Sequence, residues 1–97
     1  MFDMTKQLSY TDLSSALDWS SDLNSMNFTG ITLTGINFSG KRLTGCSFAH
    51  SCFTNCSFTG TRVRLSFFDF ARFVNCTFDK ADIQFSCFAG AVFENTV

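Results

Sequence analysis

The sequence contains no proline, a single histidine and few charges: Asp, Glu, Lys and Arg make up 15% of its 97 residues, and the formal net charge is −1. The missing proline suits a backbone that needs its N–H groups for a hydrogen-bonded ladder. A near-zero charge supplies no global field to steer the chain to nucleic acid or to an anionic membrane. No leader is expected either, because Met1-Phe2-Asp3-Met4-Thr5-Lys6 carries an acid and no long apolar run. Neither a secretory signal nor a membrane span is expected, and the mature chain is expected to begin at Met1. Five cysteines is an odd number, so at least one is unpaired, and a chain made without a signal meets reducing thiol pools. Reduced cysteines and a cytoplasmic location are the expectations. With 45% apolar residues, disorder is excluded as the default.

Phenylalanine is abundant, and it is periodic. From residue 23 every fifth residue is large and apolar: Leu23, Phe28, Leu33, Phe38, Leu43, Phe48, Phe53, Phe58, Val63, Phe68, Phe73, Phe78, Ile83, Phe88 and Phe93. Two positions before each centre the residue is mostly small, as in Cys46, Ser51, Cys56, Thr61, Ser66, Ala71 and Cys76. Two positions after it come all six glycines, at 30, 35, 40, 45, 60 and 90, with Asn55, Asn75 and Asn95 in the same phase. A period of five fits neither a helix at 3.6 nor a strand at 2, so each unit is a short extended piece followed by a turn. Within the extended piece the centre and the small residue before it share the inward face. Gly and Asn at the turn supply the positive φ of a type II corner.

With four units per turn, residues 20 apart stack. Leu23, Leu43, Val63 and Ile83 then form an aliphatic first side, while Phe28, Phe48, Phe68 and Phe88 form the second and Phe38, Phe58 and Phe78 the fourth. The same shift aligns Asn55, Asn75 and Asn95, whose amides can hydrogen-bond from coil to coil. The predicted fold is an all-β solenoid, a square coil of about four turns.

Units such as Cys46-Ser47-Phe48-Ala49-His50, Cys56-Ser57-Phe58-Thr59-Gly60 and Ala81-Asp82-Ile83-Gln84-Phe85 resemble the pentapeptide-repeat family. The resemblance runs from about Leu23 to the end and implies a right-handed quadrilateral β-helix with the small and central residues inside. Lys41 departs from the pattern at an inward position. The first 22 residues do not keep the frame: Leu13, Ala16 and Leu17 have helical spacing after a candidate cap at Thr11. Residues 1–22 are therefore read as a cap segment containing a short helix, and residues 23–97 as the β-helix. Val97 stops in mid-unit and leaves Phe93 near an open edge, so end-to-end self-association or a longer natural protein is expected.

Catalytic constellations are absent from the pattern. His50 falls at an outward corner with no nucleophile or orienting group placed against it. Cys52 and Cys56 point to opposite faces, and Cys46, Cys56 and Cys76 act as small inward fillers, so no metal or other cofactor is expected. Cys56 and Cys76 stack one coil apart and are read as an inert buried pair. The glycines are spaced as corners and precede no Lys-Ser or Lys-Thr pair of a phosphate loop. The chain is predicted not to be an enzyme.

The family includes DNA-mimicking proteins that bind bacterial type II topoisomerases such as gyrase, and mimicry of that kind needs an acidic surface. Residues 1–22 hold four acids against Lys6, but residues 23–97 hold four acids against six bases. Arg42, Arg62 and Arg64 cluster on the first side, bracketed by Asp22 and Asp82, which argues against nucleic-acid binding as well. One outward feature breaks the small-or-polar rule. Leu65 and Phe85 share a corner, Phe67 and Cys87 stack on the adjoining side, and Phe70 lies at the next corner, with Arg62 and Arg64 nearby. Apolar patches with aromatic anchors mark docking surfaces, or are covered by another part of the molecule. The expected function is a non-catalytic protein-protein interaction module, in the cytoplasm of a bacterium or of a host receiving a bacterial effector. The alternatives are the topoisomerase-directed DNA mimic and a purely structural spacer.

Overall fold

In a computed structural model of the protein, residues 9–19 and 21–96 are described; expectations that fall on residues 1–8, Ser20 and Val97, Phe2 included, lie outside the described residues. A helix, α1 (Tyr10–Trp19), precedes eight three-residue strands: β1 (Asp22–Asn24), β2 (Thr32–Thr34), β3 (Arg42–Thr44), β4 (Cys52–Thr54), β5 (Arg62–Arg64), β6 (Arg72–Val74), β7 (Asp82–Gln84) and β8 (Val92–Glu94). Two parallel sheets result, ordered β1-β3-β5-β7 and β2-β4-β6-β8. These are the first and third sides of a four-turn square coil. The second and fourth sides are held by isolated parallel bridges, Asn27 to Ser47 to Phe67 to Cys87 and Asn37 to Ser57 to Thr77. The register is a shift of 20 throughout, as in Leu23 with Leu43 and Phe53 with Phe73.

Every fifth residue from Ser25 to Asn95 has a positive φ. That is what turns the chain through a corner after only three extended residues. At the corners leaving the second and fourth sides the turn closes with an i+3 to i hydrogen bond, as in Ile31 N to Phe28 O at 3.1 Å and Thr61 N to Phe58 O at 3.0 Å. Gly30 and Gly60, with φ of 75° and 67°, occupy the third turn position, which is the type II arrangement.

The core is a set of side-chain columns at ladder spacing. Phe28, Phe48, Phe68 and Phe88 stack with centroids 5.2, 5.3 and 4.8 Å apart, and Phe38, Phe58 and Phe78 at 4.8 and 4.7 Å. Strand separation of about 4.8 Å imposes that spacing. Of the central residues, Leu23 through Phe73 are buried, Phe78, Ile83 and Phe88 are half-buried, and Phe93 is 51% exposed. Phe93, assigned to the core by its phase, stacks on Phe73 at 5.0 Å on one side only.

The inward small residues satisfy the coil beneath. Ser51 Oγ donates to Phe28 O at 3.0 Å and Thr61 Oγ1 to Phe38 O at 2.7 Å, while Cys46 and Cys76 Sγ reach Leu23 O and Phe53 O at 3.3 and 3.4 Å. Each bond spans 23 residues. Buried polar groups thus find partners, which small side chains alone can reach beside the aromatic columns.

Leu13 of α1 is fully buried and Ala16 and Leu17 pack against the same core. The helix begins one residue after Ser9, whose carbonyl accepts from Leu13 N at 3.1 Å; Ser9 takes the cap position, and Thr11, assigned there from the sequence, lies in the first turn. The coil at Lys41 remains regular, because Lys41 Nζ donates to Leu17 O at 2.9 Å. A cation thus meets one of the free carbonyls at the helix C-terminus, where it is electrostatically favoured.

Candidate functional site

The second side carries most of the outward apolar groups; Val92 of β8, 50% exposed, lies on the third. Leu65 is 58% exposed, Phe67 51%, Phe70 60% and Phe85 79%, with Cys87 half-buried beside them. Leu65 and Phe85 sit one above the other at the corner entering this side, Phe67 and Cys87 are bridge partners on it, and Phe70 is at the corner leaving it. Arg64 adjoins the Leu65 corner, but its guanidinium is engaged by Asp82 Oδ2 at 2.9 Å, Asp82 O at 3.0 Å and Val63 O at 2.9 Å. Hydrogen bonds from Arg64, then Gln84, hold the Asp82 carboxyl below its ordinary value. Arg62 stands apart, at the opposite edge of the first side, where it lines a polar depression with Gly40, Lys41, Arg42 and Gly60.

The corner residues of this patch are held in an unfavourable backbone conformation. Leu65, Phe70 and Phe85 have φ of 53°, 59° and 53°, a region that costs a bulky L-residue on the order of 1–2 kcal/mol. Elsewhere the same position is filled mainly by Gly or Asn, and Asn95 Nδ2 donates to Asn75 Oδ1 at 2.6 Å along one corner. The Phe70 ring is partly supported: it stacks on His50 at 5.1 Å, and it lies over Gly90 so closely that an added Cβ would come within 2.5 Å.

Sequence reasoning missed Asp69. On the fourth side outward hydroxyls and amides bond within and between coils: Ser39 N to Asn37 Oδ1 at 2.9 Å, Ser39 Oγ with Ser57 Oγ at 2.8 Å, and Thr59 Oγ1 with Thr77 Oγ1 at 3.4 Å. The second side starts in the same way, with Thr29 Oγ1 bonded to Asn27 Oδ1 at 2.6 Å and Ser47 Oγ at 2.9 Å. At the next coil Phe67 replaces the polar partner. Asp69 Oδ1 is shielded from solvent and has no hydrogen-bond partner among the described residues. The signal was present in the spacing: Asn27-x-Thr29, Asn37-x-Ser39 and Ser57-x-Thr59 are polar pairs, and Phe67-x-Asp69 is not.

Chemistry of other kinds has little to work with among the described residues. His50 is exposed and its ring meets Phe70. All five cysteines are free, and burial raises the thiols of Cys46 and Cys56 above their ordinary value. No cluster of three or more His, Cys, Asp or Glu fit to hold a metal occurs among the described residues, and no described helix is long and apolar enough to cross a membrane.

The square coil, its five-residue period and its inward small-and-aromatic pairs define a repeat protein of one kind. The family model for pentapeptide repeats matches residues 21–60 and 62–95 in eight copies, and the chain belongs to that family. Among solved structures, a pentapeptide repeat protein of the cyanobacterium Cyanothece is similar over 78% of this chain and 52% of its own, at 16% identity and a TM-score of 0.74. A pentapeptide repeat protein of the Arabidopsis thaliana thylakoid lumen matches 72% of this chain and 46% of its own at 23% identity and TM-score 0.55. HetL, a pentapeptide repeat protein involved in heterocyst differentiation regulation in Nostoc, matches 79% of this chain and 40% of its own at 17% identity and TM-score 0.51. The chain thus spans about half or less of each, and at these identities the likeness is one of fold. No curated protein matches it in sequence.

Proposed function

We propose that this chain is a non-catalytic protein-binding module whose second side is the docking face. The observation that carries the reading is the strained exposure of Leu65, Phe70 and Phe85: three bulky apolar side chains occupy positive-φ corners and point into solvent. Bulky residues held at strained backbone angles cluster at functional sites, and exposed apolar patches mark interaction surfaces. A DNA-mimicking role draws no support from the charge pattern. Asp22, Asp82 and Glu94 are paired with Arg42, Arg64 and Arg72 instead of forming an acidic face. The test compares the native chain with Phe67→Ser/Phe85→Ser as immobilised bait. The double variant should keep its unfolding free energy within about 0.5 kcal/mol, as for surface substitutions, and lose the proteins the native chain retains. Identical capture by both, with unchanged solution mass, contradicts the reading.

A second surface favours self-association. Phe78, Ile83, Phe88, Phe93 and Thr96 line an apolar depression of about 430 Å³ at the last coil, beside the outer edges of β7 and β8, and sheet edges of this kind invite pairing. A solution mass that falls from dimer to monomer on Phe93→Ser would support it; a monomeric native chain would remove it.

A further inference from the structure

The occupant of the second side can be narrowed from its charge. By register, the outward residues of this side and its flanking corners are Asn27, Thr29, Ser47, Ala49, Phe67, Asp69, Cys87 and Ala89 with the corner residues, and Asp69 is the one carboxylate among them. Its Oδ1 is shielded and accepts no hydrogen bond from the described residues, although a carboxylate oxygen left in that state costs about 1–3 kcal/mol. The nearest column of polar partners ends at Ser47, where Phe67 takes over.

We infer that the second side binds a single segment of a partner protein that presents apolar side chains together with one basic side chain, the basic group pairing with Asp69. This rests on the docking reading above. Charge complementarity selects the basic group: Asp69 is only partly buried and forms no ion pair with a described cation, so a Lys or Arg brought in beside the aromatic rings meets an uncompensated carboxylate in surroundings where water competes less. The ring of Phe67, 51% exposed beside it, is a surface that favours positive charge. Size selects a segment over a second copy of the chain. The exposed anchors span two coils, a strip about 10 Å tall on a molecule 26 Å across. That area falls well short of the roughly 800 Å² per partner that a stable dimer buries, whereas one helix or extended strand covers it.

The probes are two fluorescent synthetic amphipathic helices with the same leucine face, one with lysine and one with glutamate on its polar face, titrated into the full chain. The native chain should prefer the lysine peptide by about tenfold or more, the size of one charge-assisted hydrogen bond. Asp69→Asn should lose that preference while still binding through the apolar anchors, and Asp69→Glu should keep most of it. The preference surviving in Asp69→Asn, equal binding of both peptides, or no binding of either overturns the inference and leaves the docking face standing on its own test. If Phe67→Ser/Phe85→Ser binds the lysine peptide as the native chain does, the docking face itself is wrong. A native dimer that this double variant converts to monomer would make a second copy the occupant, and would overturn the inference.

Discussion

The second and fourth sides of the coil are built alike inside and differ outside. Both stack phenylalanines about 5 Å apart, Phe48 on Phe68 at 5.3 Å and Phe58 on Phe78 at 4.7 Å, and both are joined by isolated bridges instead of strands. Outside, the fourth side is a run of hydroxyls and amides from Asn37 to Thr77 that bond to one another. The second side begins with the same device at Asn27, Thr29 and Ser47 and then abandons it for Phe67, Asp69 and Cys87. The inward pattern therefore suffices for the fold. Outward positions are free to vary, and a departure that leaves a carboxylate oxygen unpaired and three bulky residues strained calls for a reason outside the fold.

The largest effects should be the same on both sides. Phe48→Ala and Phe58→Ala each remove a ring from the middle of a column and should each cost about 3–5 kcal/mol in denaturant unfolding. A much smaller loss for one of them would mean that the two columns are not equivalent. Outward substitutions should separate the sides. Thr59→Val on the fourth side breaks bonds to Ser57 and Thr77 and should cost about 0.5–1.5 kcal/mol, while Phe67→Ser on the second should stay within about 0.5 kcal/mol of native. Thiol chemistry gives the smallest and most local contrast. Cys87 should react with iodoacetamide in the native state at neutral pH while Cys46 and Cys56 do not, because burial raises both of those thiols. The sign for stability follows: the contribution of these two thiols is present below their ordinary value of 9.0 and is lost as the pH rises from there towards their folded values. Mass mapping of the alkylated cysteines checks the first point, and denaturant midpoints at pH 8 and pH 10 check the second.

Most of the coil was legible in the sequence because its period is unlike that of any other regular structure: one large residue in five, with Gly or Asn two later in nine of the fifteen units, admits a turn at every unit and little else. Side-chain direction followed from the same period, which is how Leu65, Phe67, Phe70 and Phe85 were recognisable as outward. What the period could not convey depends on partners outside it. The place of Ser9 as the helix cap is a local backbone choice that Thr11 could equally have filled. Lys41 looked like a fault at an inward position, and becomes regular only once α1 brings the Leu17 carbonyl to it. The unlike pair Phe67-x-Asp69 is in the sequence, but that it leaves a carboxylate oxygen shielded and unpartnered shows only against the hydroxyl network of the neighbouring coils. Arg62, grouped with the patch by sequence, proved to lie across the first side from it.

The central claim is that the second side's corner residues are kept for a partner and not for the coil. The most direct test is the unfolding free energy of Leu65→Asn/Phe85→Asn, which puts at this corner the residue found at 55, 75 and 95. Relief of backbone strain, on the order of 1–2 kcal/mol per site at most, should leave the double variant at least as stable as the native chain. A loss of more than about 1 kcal/mol would show that Leu65 and Phe85 are packing residues, and the second side would then be a part of the fold with no claim to be a docking face.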